Sequence, residues 1–273
     1  MQTFLDVVMQ PLPVTDPLRH KIVMVDGFYI AYPSVKAHRH LQGAKTEESV
    51  LLWAIDAITF EPLHWVILPQ LEDAAGWMYF FREFTERGFD PTHIVHDGHY
   101  GIPLATERYM PDVIHQRCVV HFVRNSHKKI GISPKSPLAR KLQSLIYQLP
   151  TIASEEERQS WLHAYDSYLE AYLQSEHAKI PQTGAFRALH KLLGNAHERG
   201  DLFTYLTYPD LPNNTNAIES HNRTLREALR RHRGMPLRQR EALVSWLLLF
   251  KSTDNLAVIR AQYEARKSTL FDA

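Results

Sequence analysis

Residues 21–30 read KIVMVDGFYI, and residues 92–97 read THIVHD ahead of Gly98. Each is a short apolar run rich in β-branched residues, the pattern of a buried strand. Each also carries Asp-Gly, at Asp26-Gly27 and at Asp97-Gly98. A carboxylate within such a run is costly to bury unless a partner or a metal ion meets it. The plainer reading of either dipeptide is a strand-end turn, because Asp-Gly is a common turn pair. Two such segments on neighbouring parallel strands favour a shared site, since open α/β sheets bind ligands at the carboxyl edge.

The surrounding sequence extends the same plan. Strand-like runs at Val50–Ile58 and Leu63–Leu68 flank a turn at Phe60-Glu61-Pro62. Asp73–Arg87 follows as a helix, with Trp77, Phe80, Phe81 and Phe84 on one face and Gly88 as its stop. Beyond Asp97, Ile102–Tyr109 reads as a short helix and Val113–Cys118 as a further strand. Strands alternating with helices predict an α/β fold with partly parallel pairing and right-handed crossovers. The middle then changes period. Leu138, Leu142, Leu145, Ile146 and Leu149 recur at helical spacing up to Pro150. Ser154 is placed to cap a longer helix bearing Trp161, Leu162, Tyr165, Leu169 and Leu173. Phe186, Leu189, Leu192 and Leu193 suggest a third helix. Residues 135–205 therefore read as an all-helical insertion. It separates a first core part, 21–134, from a last part, 206–252, with a lead-in at 1–20 and a tail at 253–273.

Composition narrows the class. A chain of 273 residues makes one large domain, or one domain with an insertion. Hydrophobic residues at 44% and charged residues at 22% exclude a disordered, collagen-like or coiled-coil chain. No apolar run approaches the roughly 18 residues of a membrane helix, and the N-terminus lacks the charged and apolar regions of a secretory signal. The single cysteine, Cys118, forms no internal disulfide and supplies no cysteine-rich zinc site. A soluble cytoplasmic protein without membrane association is expected.

The net charge of +1 conceals strong segregation. Val113–Ser154 holds no acid but seven bases: Arg117, Arg124, Lys128, Lys129, Lys135, Arg140 and Lys141. Glu219–Arg240 holds seven arginines against Glu219 and Glu227. Such segregation marks a polyanion-binding face, or else a solvated surface with clustered charge. Within NNTNAIESHNRTLREALRRHRG (213–234), Asn216 and Glu219 fit a variant capping box. Glu219, Arg223, Arg226, Arg230 and Arg233 follow at steps of 4, 3, 4 and 3, one helical stripe, and Ile218, Asn222, Leu225 and Leu229 form a second stripe suited to packing. A carboxylate heading an arginine stripe suits a metal site beside a phosphodiester backbone.

Asp26, Asp97 and Glu219 together point to two-metal phosphoryl transfer. Carboxylates are the hard ligands that Mg²⁺ takes, and paired ions serve both the attacking and the leaving oxygen. The sequence has no GxxxxGK[ST], GxSxG or HExxH.

DGHYGI (97–102), QRCVVHFVRN (116–125) and NAIESHNRTLREALRRHR (216–233) resemble the Mutator-like superfamily of DDE transposases, which includes bacterial insertion-sequence enzymes. The resemblance covers roughly residues 20 to 252. It implies a ribonuclease-H-like mixed sheet with flanking helices, interrupted by the superfamily's helical insertion domain. It implies Asp26, Asp97 and Glu219 as a catalytic triad holding Mg²⁺, with Mn²⁺ able to substitute. It further implies cleavage and strand transfer on DNA by a homo-oligomer assembled there. Cys118-x-x-His121 matches the superfamily's Cys-His signature, with His121 linked to the catalytic centre or to DNA. On the residues alone, Cys118 is a buried strand-end residue and His121 faces the site. Arg124, Lys128 and Lys129 read equally as solvated helix residues or as phosphate contacts beside the arginines of 223–233. Trp161 resembles an insertion-domain tryptophan in placement, though core packing is its commoner role. The superfamily usually carries an N-terminal DNA-binding region, whereas the first strand here begins near residue 21, so a truncated frame or catalytic fragment is expected. Two other readings stand: a ribonuclease-H-like nuclease without strand transfer, and a truncated protein that binds DNA or a full-length transposase and interferes with it.

Overall fold

The structure is a computed structural model that describes residues 7–14, 16–31, 48–130, 136–174, 193–194 and 199–271. The third helix expected around Phe186–Leu193 lies largely outside these residues. Five strands, β1 (Ile22–Ala31), β2 (Ser49–Asp56), β3 (Pro62–Leu68), β4 (His93–His96) and β5 (Ile114–Arg117), form one open mixed sheet in the order β3-β2-β1-β4-β5. The helices are α1 (Ala74–Glu86), α2 (Gly101–Tyr109), α3 (Val119–Ile130), α4 (Pro137–Gln148), α5 (Glu155–Gln174), α6 (Asn216–Arg231), α7 (Leu237–Ser252) and α8 (Leu256–Phe271). This is an α/β architecture of the ribonuclease-H-like type. Among the described residues no helix is long and apolar enough to cross a membrane. The chain divides into two compact units: Met1–Ile94, His99–Val113 and Asn216–Ala273 make the first, and Val95–Gly98 with Ile114–Thr215 the second.

In the first unit, β1–β2–β3 is an antiparallel meander whose register pairs Asp26 with Trp53 and Trp53 with Trp65. Side chains alternate across a strand, and β1 uses both faces. Val23 and Val25 join the core formed with Trp77, Phe80, Phe81 and Phe84 of α1. Asp73 caps α1 through the Gly76 N–H at 2.7 Å. Gly88, at φ +86°, ends it in the left-handed conformation expected of a glycine stop. The other face of β1 carries Met24, Asp26 and Phe28 toward α6 and α7. Arg240 of α7 donates to the Ile30 carbonyl at 2.5 Å, and Ser49 of β2 donates to Glu241 at 2.7 Å.

In the second unit, α3, α4 and α5 bury one apolar cluster that includes Phe122, Leu142, Leu145, Ile146, Trp161, Tyr165 and Tyr168. Ser154 opens α5 with a reciprocal box: its hydroxyl accepts the Glu157 N–H, and the Glu157 carboxylate accepts the Ser154 N–H, both at 3.2 Å. Trp161 is a core residue at 6% exposure. Its indole N–H donates to the Leu145 carbonyl at 2.8 Å, and its ring stacks on Tyr165 at 5.3 Å.

His64, on β3, is the weak point of the first core. It lies against Phe80 and Phe84 with ring centroids at 5.1 and 6.0 Å, and neither ring nitrogen has a hydrogen-bond partner among the described residues. Burial, helped by the nearby Arg87 charge, pushes its pKa down to about 3 from the ordinary 6.5. The unfolded chain therefore binds a proton that the folded chain refuses. Stability falls as pH drops from 6.5 toward 3, by at most about 1.4 kcal/mol per pH unit. His64→Leu is expected to raise stability at pH 7 by roughly 1–3 kcal/mol, since it removes an unsatisfied buried polar group. Urea unfolding at pH 7 and pH 5 should show the variant losing less stability between the two than the parent does. An identical loss in both would place the acid sensitivity elsewhere.

Candidate active site

Asp26 lies in the middle of β1, not at its end, and is 9% exposed. The turn reading therefore does not apply to it. One carboxylate oxygen, Oδ1, accepts the Gly27 N–H at 3.0 Å, and the other, Oδ2, accepts Asn222 Nδ2 at 2.7 Å. Asn222 belongs to α6 and is 5% exposed. The sequence pattern placed it correctly on the buried stripe with Ile218, Leu225 and Leu229 but read it as packing. Its carbonyl Oδ1 is buried and has no hydrogen-bond partner among the described residues. Glu219, half-buried, lies three residues earlier and hence on the same face of the helix, one turn away. Helix α6 starts at Asn216, so Glu219 is its fourth residue and lies one place beyond the capping-box position. Trp53, the register partner of Asp26, meets the His221 ring edge-on at 5.7 Å. Burial, with the Lys251 charge, lowers the His221 pKa.

The arginine stripe survives with one loss. Arg223, Arg226 and Arg230 are exposed on α6, beside its buried stripe and in line with Glu219. Arg226 also leans back, its guanidinium 5.6 Å over the Phe28 ring of β1. The helix ends at Arg231, so Arg233 lies in the following turn and is not on the stripe.

Asp97 belongs to the second unit, in the loop after β4, and is half-buried. Gly98 has φ +95°, and a Cβ there would run into the Arg117 guanidinium. Arg117 is 7% exposed and lies 5.0 Å over the Phe122 ring. Burial pushes its pKa down, while the Asp201 and Asp97 charges push it back up. Asp201 is also buried, and its pKa is raised by burial against the pull of Arg117 and Arg199. Arg117 thus belongs not to a solvated basic face but to a buried charge cluster beside Asp97. The apolar strand pattern of 113–118 was the only sequence signal of that burial.

Cys118 is fully buried ahead of α3. Its sulfur accepts the N–H groups of His121 at 3.4 Å and Thr215 at 3.3 Å. Burial alone would raise the thiol pKa, but hydrogen bonds from His121 and Thr215 outweigh it and lower the value. His121 is half-buried, with Nδ1 3.2 Å from the Thr215 hydroxyl and Nε2 3.4 Å from Arg124. Arg124 and Lys128 are exposed on α3, whereas Lys129 is half-buried.

A family model described as transposase, Mutator family, matches residues 64–255, well over half of the chain. The match includes Asp97 and Glu219, and Asp26 precedes it. A probable transposase for an insertion sequence element of Corynebacterium diphtheriae is 26% identical over 196 residues, covering 71% of this chain and 53% of that protein. A probable transposase for an ISRM3-like insertion sequence element of Sinorhizobium fredii is 28% identical, covering 60% of this chain and 38% of the relative. The IS1081 transposase of Mycobacterium tuberculosis is also 28% identical, with 59% and 34% covered. The chain thus spans a third to a half of the length of these curated relatives.

The charge interaction between buried Arg117 and Asp201 is open to direct test. Removing one member of a buried pair typically costs about 3–5 kcal/mol, because the other is left as an uncompensated charge. Arg117→Leu is expected to lose stability on that scale, and Arg117→Leu with Asp201→Asn to recover part of it. A double-mutant cycle of urea midpoints reads the coupling. Additive losses would mean that the two charges do not compensate each other.

Proposed function

Because this chain belongs to the Mutator family of transposases, we propose that it carries the DNA-cleaving and strand-joining centre of an insertion-sequence transposase, with Asp26, Asp97 and Glu219 as the ligands of divalent metal ions. The observation that carries this reading is the docking of α6 onto β1 through Asn222 and Asp26. It brings the helix that carries Glu219, one turn from Asn222, onto the strand that carries a buried carboxylate. The residues fit the ion chemically. The donors are hard carboxylate oxygens, the set that Mg²⁺ and Mn²⁺ prefer. The orphaned Asn222 Oδ1 fits as well, because Mg²⁺ keeps several of its waters and a metal-held water is the donor this buried acceptor lacks.

When bound, paired ions activate the attacking oxygen and neutralise the leaving one. The chain's own groups do the rest. Asn222 and the Gly27 amide each hold one oxygen of Asp26 and so fix the carboxylate plane. Arg223 and Arg230 project outward from the helix that carries Glu219 and neutralise phosphates of a bound duplex. Arg226, seated over Phe28, does so from the strand side. Arg124, Lys128 and Lys129 extend the basic surface, and His121 is auxiliary to the centre. The working partner is DNA, at element ends and at target sites, in the cytoplasm and with the protein as a homo-oligomer.

The test pairs cleavage with binding on the same variants. With Mn²⁺ or Mg²⁺, the protein is expected to nick DNA carrying its element ends. Asp97→Asn, Asp26→Asn and Glu219→Gln should each lower nicking by about 100-fold or more while binding holds, because they remove metal-binding charge and leave the arginines in place. Arg223→Ala and Arg230→Ala should instead weaken binding and cut the log–log salt slope by about one unit each. Cleavage that persists in highly purified Asp97→Asn would sink the two-metal assignment. Nicking without joining would select the nuclease reading, and binding without nicking the interfering one.

A further inference from the structure

Two histidines next to Asp97 have no part in the mechanism above, yet both lie inside the second unit. His96, the last residue of β4, is 1% exposed, and His115 of β5 is half-buried. Their rings meet edge to face at 5.2 Å and 89°, with His96 Nε2 3.3 Å from His115 Nδ1. The other nitrogen of His96, Nδ1, accepts the backbone N–H of Gly98 at 3.1 Å. These contacts fix the protons. Since His96 Nδ1 accepts, a neutral ring carries its proton on Nε2 and donates it to His115 Nδ1.

We propose that His96 and His115 form a hydrogen-bonded pair that locks the Asp97–Gly98 peptide and so aims the Asp97 carboxylate. The inference rests on the reading of Asp97 as a metal ligand. The Gly98 N–H belongs to the peptide plane that starts at the Asp97 carbonyl. Holding that N–H therefore sets the rotation of the backbone from which the carboxylate projects. The Arg117 guanidinium also crowds this glycine, where an added Cβ would run into it. His96 is itself anchored, because its carbonyl accepts the Cys118 N–H at 2.7 Å. His115 is anchored too, its carbonyl accepting the Thr204 hydroxyl at 2.7 Å. Burial, reinforced by the Arg199 charge, holds the His115 pKa down to about 4, so its Nδ1 stays an acceptor at neutral pH. His96 and His115 are positioning residues, acting on the ion only through Asp97.

Asparagine and phenylalanine at position 96 separate the parts of this device. In His96→Asn, the side-chain oxygen accepts the N–H two residues on, as in an Asx-turn. In His96→Phe the ring remains and the acceptor is lost. The full chain, labelled with ¹⁵N-glycine, reports Gly98 amide exchange by NMR, and free Mn²⁺ measured by electron paramagnetic resonance reports binding without any turnover. The expected result is slow Gly98 exchange and near-parental Mn²⁺ affinity in His96→Asn. His96→Phe should show fast exchange and affinity weakened about 10–100-fold, the usual cost of losing a group that orients a ligand. Asp97→Asn supplies the reference loss. If Gly98 exchange quickens in His96→Phe while Mn²⁺ binds as in the parent and Asp97→Asn still loses it, the proposal is overturned and the metal reading stands. If the parent itself binds no Mn²⁺, the metal reading fails and the aiming role fails with it. Should His96→Phe not fold, His115→Leu carries the same test. It should weaken Mn²⁺ binding, and His115→Gln, which restores an acceptor, should recover it; unweakened binding in His115→Leu overturns the proposal.

Discussion

A carboxylate in the middle of a buried strand must be met by a donor or a cation. Asp26 is met by Asn222, 196 residues away in sequence, and the placement of α6 depends on that contact. Once Asn222 faces β1, the period of the helix decides everything else on it. Ile218, Leu225 and Leu229 go into the core, and Glu219, Arg223, Arg226 and Arg230 fall on one flanking stripe, with Glu219 half-buried at its head and the arginines exposed. A single polar contact therefore orients both the acid and the bases of the helix. Neighbouring polar clamps repeat the device along the same face of the first unit: Arg240 on the Ile30 carbonyl, Ser49 on Glu241, and the Met9 N–H on the Ser245 hydroxyl at 2.9 Å.

The second unit solves a different problem. Strand β5 has only four residues and lies at the edge of the sheet, where unpaired backbone groups need cover. The segment after Gly200 supplies it. The Arg117 N–H donates to the Asp201 carbonyl at 2.7 Å, and the Thr204 hydroxyl donates to the His115 carbonyl. Gln116 closes the seam with both ends of its amide: Nε2 donates to the Leu202 carbonyl at 3.1 Å, and Oε1 accepts the Tyr205 N–H at 2.9 Å. A buried polar network of this kind stabilises only when each member is satisfied. This one is incomplete, because Arg117 Nε and Asp201 Oδ1 are buried without a hydrogen-bond partner among the described residues, and only the Asp201 and Asp97 charges offset the burial of the guanidinium.

Local patterns carried most of the fold in the sequence. The apolar runs marked all five strands, the aromatic spacing marked α1, and Ser154 announced the start of α5, although its reciprocal partner Glu157 was not read from the sequence. The pattern of α6 was legible down to which residues are buried. Partners were not legible where they depend on distant chain. Asn222 shows a period but not the Asp26 it meets, and Arg117 shows a charge but not the Asp201 that lets it be buried. Arg233 was assigned to the stripe because steps of 3 and 4 continue past the point where the helix stops at Arg231. Trp161 is core because its indole finds the Leu145 carbonyl, a contact between two helices that spacing within either one does not reveal.

The two Asp-Gly pairs look alike in sequence and work by different physics. Gly98 takes φ +95° in a turn, where a side chain would be strained as well as blocked by Arg117. Gly27 lies inside β1 and needs no unusual backbone. Its missing side chain instead makes room on the α1 face, where a Cβ would come within 2.5 Å of the Glu72 carboxylate, itself held by the Trp77 indole N–H at 3.0 Å. Asp26 on one face and the Glu72 seat on the other therefore impose opposite demands on adjacent residues of one strand. The first needs a polar partner brought in by α6, and the second needs empty space under α1. A dipeptide that reads as a turn serves at position 26–27 as the point where a strand admits a carboxylate from each side.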